Sequence, residues 1–199
     1  MNKYKTLFLL DWDDTLFPTT WILKNGINLM IPNNRDRYID YFNELDVALS
    51  SFLKTVLNLG KVIIVTNALI DWIKISSIVL PKTYILLKNI NVVSARGTYK
   101  NKSNNIMDWK LMAFHDIINK EFKDNSIMNI ISVGDAEYEY QALISLQYKK
   151  KGYPKCLKSI KFIKYPTHDT LIEQLEVLNR VITEITLSKT HLDLVFNVY

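Results

Sequence analysis

Three carboxylates fall within four residues of one another where an apolar run ends, in Leu9-Leu10-Asp11-Trp12-Asp13-Asp14-Thr15. Side chains of this type can ligate a cation, move a proton or attack an electrophile. Acidic residues also end strands and cap helices, so for the triplet alone a structural role weighs as much as a chemical one. Polar groups recur where later apolar runs end. Residues 62–65 lead into Thr66-Asn67, residues 90–93 into Ser94-Ala95-Arg96, and residues 127–133 into Gly134-Asp135.

For these groups to meet, the apolar runs must be neighbouring strands. Residues 7–10, 62–65, 90–93, 127–133 and 160–163 form short continuous runs rich in β-branched side chains, as suits strands covered on both faces. Amphipathic stretches separate them. Residues 35–59 carry Phe42, Leu45, Leu49, Phe52, Leu53 and Val56 at helical spacing, and Gly60 follows as a stop. Residues 105–122 repeat the pattern with Trp109, Phe114, Ile117 and Ile118, and Leu171, Leu175, Leu178, Ile182 and Ile185 mark a late helix after Pro166 and Thr167. Strands alternating with helices predict an α/β fold, a Rossmann-like three-layer sandwich on a mostly parallel central sheet. Ligands in such sheets sit beyond the carboxyl ends of the strands, where the polar groups recur. The loop candidates are residues 100–105 and 148–155.

With 199 residues, 48% of them hydrophobic, the chain can bury a sizeable core and is expected to form one domain. Its one cysteine, Cys156, excludes an intrachain disulfide framework and suits a reducing compartment. The apolar run after the basic start ends at Asp11, too early for a signal peptide, and no stretch is long enough to span a bilayer. Cytoplasm, with the nucleus as the other choice, is the expected location, and no membrane partner is expected. A net charge of +5 helps attract phosphorylated partners but does not identify nucleic acid as one.

Four motifs in order resemble those of the haloacid dehalogenase superfamily of aspartate-nucleophile hydrolases. Asp11, Asp13 and Thr15 match its Asp-x-Asp-x-Thr; Val62-Ile63-Ile64-Val65-Thr66 matches its strand ending in Thr or Ser; Lys110 matches its helix-borne lysine; and Gly134-Asp135, with Glu137 and Glu139 beyond, matches its Gly-Asp motif. The match covers about two thirds of the chain, and the ordered set is far more specific than any one motif. Trp12 and Asp14 fill the first motif unusually, and Glu rather than Asp follows in the fourth.

The resemblance implies an Mg²⁺-dependent phosphomonoester hydrolase. Asp11 would attack phosphorus and Asp13 would be the general acid. Thr66, the Asn67 backbone and Lys110 would hold the phosphoryl oxygens, and Asp11 and Asp135 by their carboxylates and Asp13 by its backbone carbonyl the metal, with Glu137 or Glu139 orienting its waters. The charge argument agrees. Close carboxylates and a phosphate repel by about 4 kcal/mol per pair at an effective dielectric near 20, and a divalent cation removes that objection. Dehalogenases do not need the acid at Asp13, and the ion-pumping ATPases place Thr there, so phosphatase is the better fit.

The intervals between motifs leave no room for a substantial cap. An open site predicts a large substrate, such as a phosphoprotein or a nucleic-acid end. The alternative is a small nucleotide or sugar phosphate beneath a lid built from residues 19–34, which with the 35–59 helix stand where a minimal cap would. A non-catalytic phosphate-binding protein on the same fold is the alternative of another class. Arg96 is placed to meet phosphate or carboxylate. Residues 148–164 hold seven lysines among aromatic residues and could track a polyanion, although a solvated loop and edge strand is the commoner outcome. His115, His168 and His191 form no metal-spaced set, and residues 191–199 are apolar enough to pack on the body or on a second subunit.

Overall fold

In a computed structural model that describes residues 6–121, 129–148 and 156–197, six strands form one sheet. They are β1 (Thr6–Leu10), β2 (Lys61–Thr66), β3 (Asn91–Ser94), β4 (Asn129–Gly134), β5 (Cys156–Lys161) and β6 (Leu192–Val195). Their order is β3-β2-β1-β4-β5-β6 and every pairing is parallel. The helices are α1 (Thr19–Lys24), α2 (Pro32–Arg35), α3 (Ile39–Leu59), α4 (Ile70–Ser77), α5 (Pro81–Leu87), α6 (Ala95–Tyr99), α7 (Ile106–Glu121), α8 (Glu137–Ile144) and α9 (His168–Leu187). This is the expected α/β three-layer sandwich of Rossmann type.

Strand alternation builds the layers. Phe8 and Leu10 of β1 share one face with Val62, Ile64, Ile131, Val133 and Ile160, and α3 and α9 cover that face with Phe42, Leu45, Leu49, Leu171, Leu175 and Leu178. Leu7 and Leu9 point to the opposite face with Ile63, Val65, Ile130 and Leu157, beneath α6, α7 and α8. Both faces are apolar because both are covered, which is why the strands read as continuous hydrophobic runs. Strand order reverses between β1 and β4, the point at which such a sheet opens a crevice at its carboxyl edge. The two strands are pinned there by the Asp11 amide donating to the Val133 carbonyl at 2.9 Å.

Several boundaries differ from the sequence reading. The 35–59 helix begins at Ile39, preceded by α2 and a 3₁₀ turn over Asp36–Tyr38. Residues 19–34 are no free loop: they contain α1, and Ile22, Ile27 and Leu29 are buried in the core, while Leu23 and Met30 stay exposed. The strand expected at 160–163 is β5, beginning at Cys156, and it lies inside the sheet because β6 pairs with its outer side. The tail from His191 therefore packs on the body. Of the stretch 127–133, residues 129–133 lie in β4 and the first two fall outside the described residues, as do Lys149, Lys150, Lys151 and Lys155. Among the described residues no helix is long and apolar enough to cross a membrane.

The lysine run also divides. Lys158 is fully buried and donates to the carbonyls of Ile185, Thr186 and Ser188 at 2.6, 3.2 and 2.7 Å, satisfying the last turn of α9. It is a helix-terminating group rather than part of a polyanion track. Lys158→Met should cost about 2–3 kcal/mol, since it strands buried carbonyls, and a thermal melt would register this as a drop of about 5–10 °C. An unchanged melt would show that water replaces the ammonium.

Candidate functional site

The carboxyl ends of β1 and β4 and the start of α8 surround a cavity of about 250 Å³ lined by Asp11, Asp13, Asp14, Asn67, Lys110, Asp135, Ala136, Tyr138, Lys164 and Tyr165. Five of the nine residues expected at the site from sequence line it: Asp11, Asp13, Asn67, Lys110 and Asp135. Glu139 and Thr66 stand directly behind. Glu137 and Arg96 do not line it. Glu137 turns outward to Lys161 at 2.9 Å and Gln141 at 2.9 Å, which holds its carboxyl below the usual range, and Arg96 lies on the exposed side of α6.

Asp11 directly follows β1 and is 5% exposed. Lys110, from the first turns of α7, is 1% exposed, sits 2.6 Å from Asp11 Oδ1 and also pairs with Glu139 of α8. Burial alone would lower the Lys110 ammonium, but the two carboxylates outweigh it and hold it protonated. Burial raises the Asp11 carboxyl well above the usual range; Lys110 opposes this, while Glu139, Asp13 and Asp135 reinforce it. Asp135, after β4, is pushed up to about 7 by burial and by Glu139. Glu139 reaches back to accept from the Ala136 amide at 3.2 Å. It crosses the space a Cβ on residue 134 would fill, which is why Gly precedes Asp135.

Asp13 is held by three donors: Thr19 Oγ1 at 2.6 Å and Trp72 Nε1 at 2.8 Å on Oδ1, and Thr66 Oγ1 at 3.0 Å on Oδ2. The Thr66 hydroxyl is thus turned to Asp13 and accepts from the Ala68 amide, so its nearest function is bracing Asp13 rather than touching phosphate. Asn67 has both amide atoms buried without a protein partner beside the cavity, the orphaned polar pair a ligand would satisfy. Asp14 adopts a left-handed backbone (φ 55°) and accepts from the Thr20 amide and hydroxyl at the start of α1, so it is a capping residue. Trp12 is fully buried, stacked on Phe17 and bonded to Ser76, which accounts for the unusual filling of this segment.

Sequence reasoning missed Tyr138, Tyr165 and Trp72. Tyr138 follows Glu137 on a helix start that carried only acidic signals. Trp72 lies 59 residues from Asp13, with no pattern linking them.

The acids lining the cavity are hard oxygen donors, and Lys110 alone neutralises little of their charge. Burial first, and the neighbouring acids second, raise the Asp11 and Asp135 carboxyl groups. Among the described residues no three acidic, histidine or cysteine side chains are grouped as a metal site, so the fit to Mg²⁺ rests on the chemistry of these oxygen donors alone. Because Asp135 binds its proton more tightly folded than unfolded, its stabilising contribution is complete below the ordinary carboxylate range and is lost as pH rises to about 7. Melts without metal should therefore fall from pH 5 to pH 8, and millimolar Mg²⁺ should raise the melting temperature more at pH 8. Equal Mg²⁺ effects at both values would contradict the assignment.

Comparison with known proteins finds no matching family model, curated protein or solved structure.

Proposed function

We propose that this protein is an Mg²⁺-dependent phosphomonoester hydrolase of the haloacid dehalogenase kind, working through an aspartyl-phosphate. The observation that carries the reading is the buried Asp11 at the strand-order reversal, 2.6 Å from Lys110 and sharing one cavity with Asp135 from another strand. A carboxylate is seldom buried among acids unless its charge is used. The carboxylates of Asp11 and Asp135 and the backbone carbonyl of Asp13 would hold Mg²⁺, which supplies charge neutralisation for the phosphoryl group.

Chain residues do the rest. The Asp11 carboxylate forms a bond to phosphorus as the ester P–O bond breaks, and Asp13 passes its proton to the departing oxygen. Water then attacks the aspartyl-phosphate, Asp13 takes a proton from it, and phosphate and free Asp11 are regenerated. Lys110 holds Asp11 aligned and offsets charge on the transferring group. Tyr138, beside Lys110 with its ring 5.2 Å from Nζ, walls the cavity, and burial raises its phenol so that it stays neutral.

A large substrate is favoured over a small one beneath a lid, because the core claims Ile22, Ile27 and Leu29 of the 19–34 segment, with Trp21 packed against them, and so ties that segment down. Exposed Lys164 and Tyr165 at the rim offer a cation and an aromatic face to such a substrate. The test is turnover with and without Mg²⁺ on a panel running from p-nitrophenyl phosphate through nucleotides and phosphopeptides to phosphorylated DNA and RNA ends. Mg²⁺-dependent release of phosphate is the expected result, strongest on a macromolecular ester. Inertness across the panel favours a phosphate-binding protein. A preference for nucleic acid should weaken steeply with salt.

A further inference from the structure

We infer that Trp72 is a positioning residue that fixes Asp13 as the acid for the departing group, an inference that rests on the phosphatase reading above. An indole N–H can only donate, and it points at Asp13 Oδ1 from 2.8 Å, with the Thr19 hydroxyl on the same oxygen at 2.6 Å. Two donors occupy the acceptor positions of Oδ1. The proton that Asp13 must pass on therefore belongs on Oδ2, whose hydrogen-bond partner among the described residues, the Thr66 hydroxyl, can rotate.

Packing fixes the indole itself. Phe17, from the same loop as Asp13, stacks on Trp12 at 6.0 Å and meets Trp72 edge-on at 6.0 Å. Trp12 in turn donates to Ser76 on the next turn of α4, at 3.0 Å. The loop and α4 are thus joined twice, by Trp12 to Ser76 and by Trp72 to Asp13, with Phe17 between the two rings. Such a doubly anchored helix sets where the Asp13 carboxyl stands more rigidly than its loop alone could. Trp72 is only half-buried, so its apolar packing alone does not explain the placement.

A proton donor matters in proportion to how badly the leaving group needs the proton. This gives Trp72 a signature that a residue supporting only the fold would lack. Using the full chain with Mg²⁺, kcat/KM is measured for aryl phosphates graded from p-nitrophenyl, whose phenolate leaves unaided, to p-methoxyphenyl. Trp72→Phe, which keeps the ring and removes the N–H, should lose about tenfold or more on the p-methoxyphenyl ester and stay within about threefold on the p-nitrophenyl ester. Thr19→Val should shift the same ratio in the same direction, and it decides the matter alone if Trp72→Phe shows no cooperative melt. Equal losses on all esters, or no loss on any, overturn the inference and leave the phosphatase reading standing. Wild-type protein inert on every ester overturns both.

Discussion

Asp11→Asn should reduce phosphate-ester turnover by roughly a thousandfold or more, the scale of removing a nucleophile, while leaving the melting temperature level or higher. The two halves of that expectation have separate causes. Asn has nearly the size of Asp but lacks the anionic oxygen that must bond to phosphorus, so the aspartyl-phosphate cannot form. Stability moves the other way because the native carboxylate is 5% exposed and surrounded by Glu139, Asp13 and Asp135, and burial already raises its pKa. Removing a buried charge relieves that cost, and Lys110 keeps Glu139 as a partner. Steady-state turnover with the best substrate of the panel, paired with a thermal melt, reads both. Turnover above about one per cent of wild type would remove Asp11 as the nucleophile, and loss of activity together with loss of the cooperative melt would point to simple structural damage.

The parts of this site that were legible in the sequence are those whose signal is local. Asp11 and Asp135 each end a run of apolar residues, and a run covered on both faces by helices has little freedom to be anything but an inner strand. Lys110 and Glu139 were visible as a helical lysine and a trailing acid, but not as a pair; 29 residues separate them and only the packing of α7 on α8 brings them together. Lys158 failed for the opposite reason. Within Cys156-Leu157-Lys158-Ser159-Ile160-Lys161 its charge reads as solvated, whereas its partners are main-chain carbonyls, which every residue carries and which therefore leave no mark in the sequence. The four-residue β6 was hidden similarly, its alternation in Leu192-Asp193-Leu194-Val195 too short to stand out from a tail. Asp46 of α3 is a further case: buried, it caps α5 by accepting from the Lys82 and Thr83 amides at 2.8 Å each, across 36 residues of chain or more.

Lys110→Met should be the most damaging single change for stability, costing about 3–5 kcal/mol, because it strands two buried carboxylates rather than one exposed charge. At 1% exposure the ammonium has no access to bulk water, and it bridges Asp11, just after β1, to Glu139 of α8 across the layer boundary. Met fills a similar volume, so the loss reflects charge and not a cavity. For a protein of this size the cost corresponds to a melting temperature lower by roughly 10 °C. The damage should be repairable in a way that identifies its source. In Lys110→Met/Glu139→Leu one of the two orphaned acids is gone, and the double variant should melt above the single one while remaining inactive, since a buried ion pair replaced by apolar groups is often neutral or better. Mg²⁺ should also raise the single variant by more than it raises wild type, because the cation then supplies the positive charge that Asp11 has lost. A Lys110→Met protein that melts within about 1 °C of wild type, far less than removing a buried partner normally costs, would mean that the ion pair holds nothing together, and Lys110 could no longer be credited with keeping Asp11 aligned at phosphorus.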